Sequence, residues 1–157
     1  MAAGFRDAKP HMTLSLPEQD GRGGGAGRAA ERLGVSILYA EEAPAVADAV
    51  RETLEAEGWR VEVCARGDEA LRRLLEGASF DLFIFDFLLA GLDGVELARR
   101  VRGLPRRAHT PIIMLTASEV EREARGAGVD AFLRKPRGVF TLAETAARLL
   151  ARDGART

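Results

Sequence analysis

Residues Phe80 to Gly94, FDLFIFDFLLAGLDG, limit what this chain can become more than any other stretch. Leu82 to Phe85 form an unbroken apolar run that ends at Asp86, and the segment then opens into a loop closed by Asp93-Gly94. A run of this length and composition fits a strand covered on both faces, as in the middle of a parallel sheet. Asp86 then stands at the carboxyl end of that strand, the edge where ligands gather in open α/β sheets. A turn-forming Asp is the simpler alternative for one isolated residue, so the reading depends on the other strand tips.

Two further segments repeat the pattern. Val35 to Ala40 is short, apolar and partly β-branched, and it runs into the paired carboxylates Glu41-Glu42; Pro111 to Leu115 is continuously apolar and ends at Thr116. Arg60 to Val63 alternates polar with apolar residues, which predicts an edge strand, and Ala131 to Leu133 predicts a last strand leading to Lys135-Pro136. Helical spacing separates these segments. Val46, Val50 and Leu54 follow Pro44 and stop at Gly58; Leu71, Leu74 and Leu75 follow Gly67 and stop at Gly77. Asp93 with Glu96 resembles an acidic capping box ahead of Leu97, Ala98 and Val101. A short stretch through Val120 and Ala124 and a final stripe of Leu142, Ala146, Leu149 and Leu150 complete five strands alternating with five helices. Such alternation with short loops requires parallel strands and right-handed crossovers, giving a doubly wound α/β domain with all strand tips on one edge.

That edge would gather Glu41, Glu42, Asp86, Thr116 and Lys135. Three carboxylates held about 4 Å apart repel by roughly 4 kcal/mol per pair at an effective dielectric near 20, so a cation must relieve them. Hard oxygen ligands suit Mg²⁺, which takes one or two carboxylates together with phosphate oxygens. A carboxylate beside Mg²⁺ and a lysine can attack a phosphoryl group and form an acyl phosphate.

Composition narrows the surroundings. A chain of 157 residues, 46% hydrophobic, buries one good core, and its charges cancel to a net -1, so no overall basic field recruits nucleic acid or an anionic membrane. The single cysteine, Cys64, excludes an internal disulfide and reads as a buried apolar residue; His11 and His109 lack the spacing of a zinc site. With no apolar leader and no stretch of membrane-spanning length, the expected location is the cytoplasm. Residues 1–33, with a glycine-rich run at Gly21 to Gly27, read as a flexible leader, residues 34–152 as the folded domain, and 153–157 as a frayed tail.

From Val35 to about Arg152 the chain resembles the receiver domain of two-component response regulators. The matching pieces are the acidic pair after the first strand, the run ending in Asp86, Asp93-Gly94, Pro111 to Ala117, and Lys135-Pro136. The resemblance implies a flavodoxin-like sheet of order 2-1-3-4-5. It also implies that Asp86 accepts phosphate from a histidine kinase or phosphotransfer protein. Glu42, Asp86 and the Leu88 carbonyl would bind Mg²⁺, and Glu41 would act through water. Thr116 and Phe132 would form a switch pair, with Lys135 as the family's ammonium and Lys135-Pro136 as a cis peptide. The partner would be a downstream protein, with a homodimer as a further option, and the chain would be a stand-alone switch and not an enzyme.

Two departures are visible. The family usually has Asp in at least one of the two acidic positions, whereas here each carboxylate is carried roughly 1.5 Å further by an extra methylene, against the near-octahedral demand of Mg²⁺. The segment between Thr116 and Lys135 is about one turn short, predicting a stunted fourth helix. The alternative these departures motivate is a pseudo-receiver that binds proteins without phosphorylation. A dehalogenase-type phosphatase would need a second Asp where Leu88 stands, and a flavin module would not place Glu41-Glu42 beside a phosphate.

Overall fold

In the computed structural model, residues 34–156 are described; the expected leader lies outside them. Five strands, β1 (Ser36–Ala40), β2 (Arg60–Cys64), β3 (Leu82–Phe85), β4 (Ile112–Thr116) and β5 (Ala131–Arg134), alternate with five helices, α1 (Pro44–Glu55), α2 (Gly67–Leu75), α3 (Gly94–Arg102), α4 (Glu121–Gly126) and α5 (Arg137–Gly154). All strand pairs are parallel and the order is β2-β1-β3-β4-β5, as the resemblance implies.

Two cores lie on the two faces of the sheet, and strand alternation sorts side chains between them. Leu38, Ala40, Phe83, Phe85, Ile112 and Met114 pack with α2 and α3, whereas Ile37, Tyr39, Leu82, Ile84, Ile113 and Leu115 pack with α1 and α5. Every residue of β3 is fully buried, in keeping with the continuous apolar run. β2 lies at the edge, and its polar Glu62 receives both nitrogens of Arg73 at 2.5 and 2.9 Å.

The helix ends follow local chemistry. Pro44 opens α1, and positive φ values at Gly58 (84°) and Gly77 (97°) mark the chain reversals after α1 and α2. The Asp93 side chain accepts from the Glu96 amide at 2.8 Å, but Glu96 turns its own carboxylate to Arg99 and Arg100, so only half of the expected capping box forms.

Three expectations are corrected. Leu75 is exposed, because the buried stripe of α2 runs through Gly67, Ala70 and Leu74, and Leu75 lies one step round from it. Val46 is only partly buried, with Ala47 taking the inward place beside Val50 and Leu54. The C-terminal helix continues past the expected domain end at residue 152: α5 runs for 18 residues to Gly154, since each residue added to a formed helix gains its own backbone hydrogen bond. The fourth helix is short as expected, six residues, and Lys135-Pro136 is cis.

At the edge opposite the strand tips, Arg102 ties two connections together, the one before β4 and the one before β5. Its guanidinium donates to the carbonyls of Ala108, Thr110 and Gly128 and to Asp130, whose carboxylate also accepts the Ile112 amide that begins β4.

Candidate functional site

The parallel ladder sets the strand tips side by side. The Glu41 amide bonds the Cys64 carbonyl, the Asp86 amide bonds the Ala40 carbonyl, and the Lys135 amide bonds the Thr116 carbonyl, each at 3.0 Å. Residues distant in sequence thereby share one edge.

Lys135 is the centre of that edge. Its ammonium donates to Asp86 Oδ2 at 2.9 Å and to Glu41 Oε2 at 2.5 Å. Both carboxylates are buried, and the lysine side chain is only 15% exposed, so this is a screened pair of charge-assisted bonds unlike a surface ion pair. Asp86 Oδ1 accepts the Phe87 amide at 2.6 Å. Glu41 is held by two more donors, the Ala43 amide on Oε1 and the Tyr39 hydroxyl on Oε2, both at 3.1 Å.

The charges respond to these contacts. Burial pushes the Asp86 carboxyl up, but the Thr116 hydroxyl beside it, the Lys135 ammonium and the Phe87 amide together hold it below the usual carboxylate range. Burial pulls the Lys135 ammonium down, yet hydrogen bonds to Glu41 and Asp86 leave it above the ordinary lysine value. The Tyr39 phenol is driven well above its ordinary value, first by burial and then by the charge of Glu41. Cys64 is buried, and its thiol is pushed up to about 11 mainly by desolvation, which leaves it unreactive.

The acidic loop closes over Asp86 by contact. The Gly94 amide donates to the Phe87 carbonyl at 2.9 Å, and a Cβ at Gly94 would stand 2.0 Å from the Asp86 carbonyl oxygen. Only glycine allows that approach. The sequence signalled the Asp93-Gly94 turn but not this collision.

Of the expected site residues, Asp86, Lys135, Thr116 and Glu41 meet. Thr116 is buried and accepts the Ser118 amide at 3.2 Å. Phe132 is half-buried at the margin of the α2/α3 core, paired in register with Met114. The Leu88 side chain is exposed. Glu42 does not join the cluster: its side chain is exposed and lies within electrostatic reach of Arg66, and among the described residues no three acidic, histidine or cysteine side chains converge to hold a metal. The expected crowd of three carboxylates is thus two on one ammonium, because Glu41 is drawn inward and Glu42, one residue on, faces out. The donors still suit a hard cation, which commonly takes one or two carboxylates with waters and not a full protein cage.

Tyr39 is the participant that reasoning from the sequence missed. The signal was available, since residues 39 and 41 lie two apart at a strand end and so share a face.

Comparison with known proteins places this geometry. The profile of the response regulator receiver domain matches residues 37–147. The chain is 43% identical over 118 residues to the phosphate regulon transcriptional regulatory protein PhoB of Rhizobium meliloti (strain 1021), covering 73% of this chain and 50% of PhoB. Among solved structures, a putative response regulator from Chloroflexus aurantiacus J-10-fl superposes with a TM-score of 0.70 at 32% identity over 74% of this chain and 98% of that one. The receiver domain of sensor histidine kinase PA1611 from Pseudomonas aeruginosa PAO1, which has a magnesium ion coordinated in its active site cleft, superposes with a TM-score of 0.69 at 29% identity over 75% of this chain and 98% of that one. The chain spans about half the length of the curated regulators it matches. With the fold, the register of the strand tips and the match of the profile in agreement, the chain belongs to the response regulator receiver domain family.

Proposed function

We propose that this chain accepts a phosphoryl group on Asp86 from a histidine kinase or phosphotransfer protein and signals by a conformational change to a protein partner in the cytoplasm. The observation that carries the reading is the Lys135 ammonium on Asp86 Oδ2, in a pocket where Asp86 is kept ionised. A carboxylate oxygen of Asp86 attacks phosphorus, the bond from phosphorus to the donor nitrogen breaks, and that nitrogen keeps the electron pair. Lys135 neutralises charge on the transferring oxygens. Mg²⁺, where bound, would be held by Asp86 and the Leu88 carbonyl with waters, Glu42 facing out of the cluster and Glu41 being taken up by Lys135, and would supply further positive charge there. The product carries about -1.5 to -2 charge, and the Thr116 hydroxyl turns to donate to it. Phe132 moves inward into the space this opens, altering the surface along β5. The reading involves no turnover of a separate substrate.

A second reading, phosphorylation-independent protein binding, is favoured by one observation: Glu42 stands apart from the two carboxylates that Lys135 already neutralises. Intact mass after incubation with acetyl phosphate and Mg²⁺ separates the two. Phosphoacceptance predicts a gain of one phosphoryl group that Asp86→Ala abolishes; an unchanged wild-type mass selects the second reading, and a gain surviving Asp86→Ala means another residue is the acceptor.

A further inference from the structure

The Glu41 carboxylate is more fully occupied than a residue kept for a metal-bound water would be. Three donors reach it from three directions: the Ala43 amide at the start of α1, the Tyr39 hydroxyl from the centre of the sheet, and the Lys135 ammonium from beyond β5. Glu41 is 3% exposed and Tyr39 is fully buried. A carboxylate offers about four acceptor positions, so three are used within the fold. Tyr39 and Glu41 share a strand face, and the phenol is packed among Ile37, Ile84, Leu115 and Leu142 of the α1/α5 core. A tyrosine there has one place for its hydroxyl, since a buried O–H without a partner is strongly disfavoured. The extra methylene of Glu over Asp, which works against a tight metal shell, extends the carboxylate toward both the phenol and the ammonium.

We infer that Tyr39 and Glu41 form a strut that positions Lys135 on Asp86: the Tyr39 hydroxyl fixes the Glu41 oxygen to which Lys135 is bonded, and Lys135 is thereby held over the acceptor carboxylate. Tyr39 is a positioning residue, touching neither Asp86 nor the incoming phosphoryl group. The inference rests on the proposed phosphoacceptance for its purpose, but the held ammonium is observable without any phosphodonor.

The test uses Tyr39→Phe, which keeps ring and packing while removing only the hydroxyl, and Glu41→Gln, which keeps shape while removing the charge. In metal-free buffer, proton exchange of the Lys135 ammonium is followed by nitrogen-15 NMR. The wild type should show a protected signal, and Tyr39→Phe should exchange it about 3- to 10-fold faster, the scale of one typical lost hydrogen bond. In the Glu41→Gln background, Tyr39→Phe should add little, because its route to Lys135 runs through the charge-assisted bond between Lys135 and the Glu41 oxygen, which Gln replaces with a weaker one. With acetyl phosphate, the maximal rate of mass gain should fall by a similar factor while half-saturation by Mg²⁺ moves less than about twofold, as expected for a group bonded away from the metal. Unchanged ammonium exchange in a folded Tyr39→Phe protein overturns the strut. So does an undiminished Tyr39→Phe effect in the Glu41→Gln background. A wild type that protects the ammonium as described yet gains no mass overturns the proposed function and leaves the strut standing.

Discussion

Lys135 is bonded to two buried carboxylates and is itself largely buried, unlike the surface ion pairs of this chain. Removing it leaves Asp86 and Glu41 buried together without their shared counter-charge. Breaking a buried pair in this way typically costs 3–5 kcal/mol; Lys135→Met, in metal-free buffer, should therefore lower unfolding free energy by about 3 kcal/mol in a urea titration, and a loss under about 1 kcal/mol would mean that solvent already screens the pair. The pH dependence has two arms. Asp86 is held below its ordinary value of 3.8, so the stability it contributes is full above that value and disappears as pH falls through the lower folded value. Lys135 is held above its ordinary 10.5, so its contribution is full below that value and disappears as pH rises through the higher folded one. Thermal melts should show a plateau between these limits, and Asp86→Asn should flatten the acid arm and, by removing one partner of Lys135, also weaken the alkaline arm. At this scale, the meeting of Asp86 and Lys135 was legible in the sequence because each stands at the end of a strand. It did not reveal that Glu42 faces out, since adjacent residues at a strand tip take opposite sides and nothing in two consecutive glutamates says which is drawn inward.

Among the elements, the loop between β3 and α3 transmits constraint to Asp86. A methyl group at Gly94 would collide with the Asp86 carbonyl oxygen, and backbone cannot yield as a flexible side chain can. Gly94→Ala should thus cost about 1–3 kcal/mol by chemical denaturation and also slow phosphoryl uptake, because relief requires moving Asp86. A variant of wild-type stability and uptake would show that the loop adjusts freely. Continuous or alternating apolar patterns made the strands and the edge position of β2 legible, and the shortness of α4 followed from counting residues. Less legible were the placement of Leu75, where spacing alone does not say whether the stripe turns toward Ala70 and Leu74 or one step round toward Leu75, and the reach of Arg102, which depends on two loops that only the folded chain brings together.

For the whole molecule, the sheet divides into a β2 edge on one side of β3 and a β4-α4-β5 side that carries Thr116 and Phe132 on the other. Charge added at Asp86 should bias the second side while sparing the first. Beryllofluoride, which mimics an acyl phosphate, should shift amide resonances of β4, α4 and β5, including Phe132, and leave those of β2 and the Glu62–Arg73 pair near their starting positions. Shifts spread evenly over the sheet would argue against a localised switch. Among the described residues, no helix is long and apolar enough to cross a membrane.

The claim on which the account turns is that the phosphoryl group goes to Asp86. Borohydride reduction converts an aspartyl phosphate to homoserine, so peptide mass analysis after phosphorylation and reduction reads the acceptor directly. The predicted result is homoserine at position 86 alone; an unchanged Asp86 with homoserine at another aspartate, with the corresponding alcohol at a glutamate, or with neither, would contradict it.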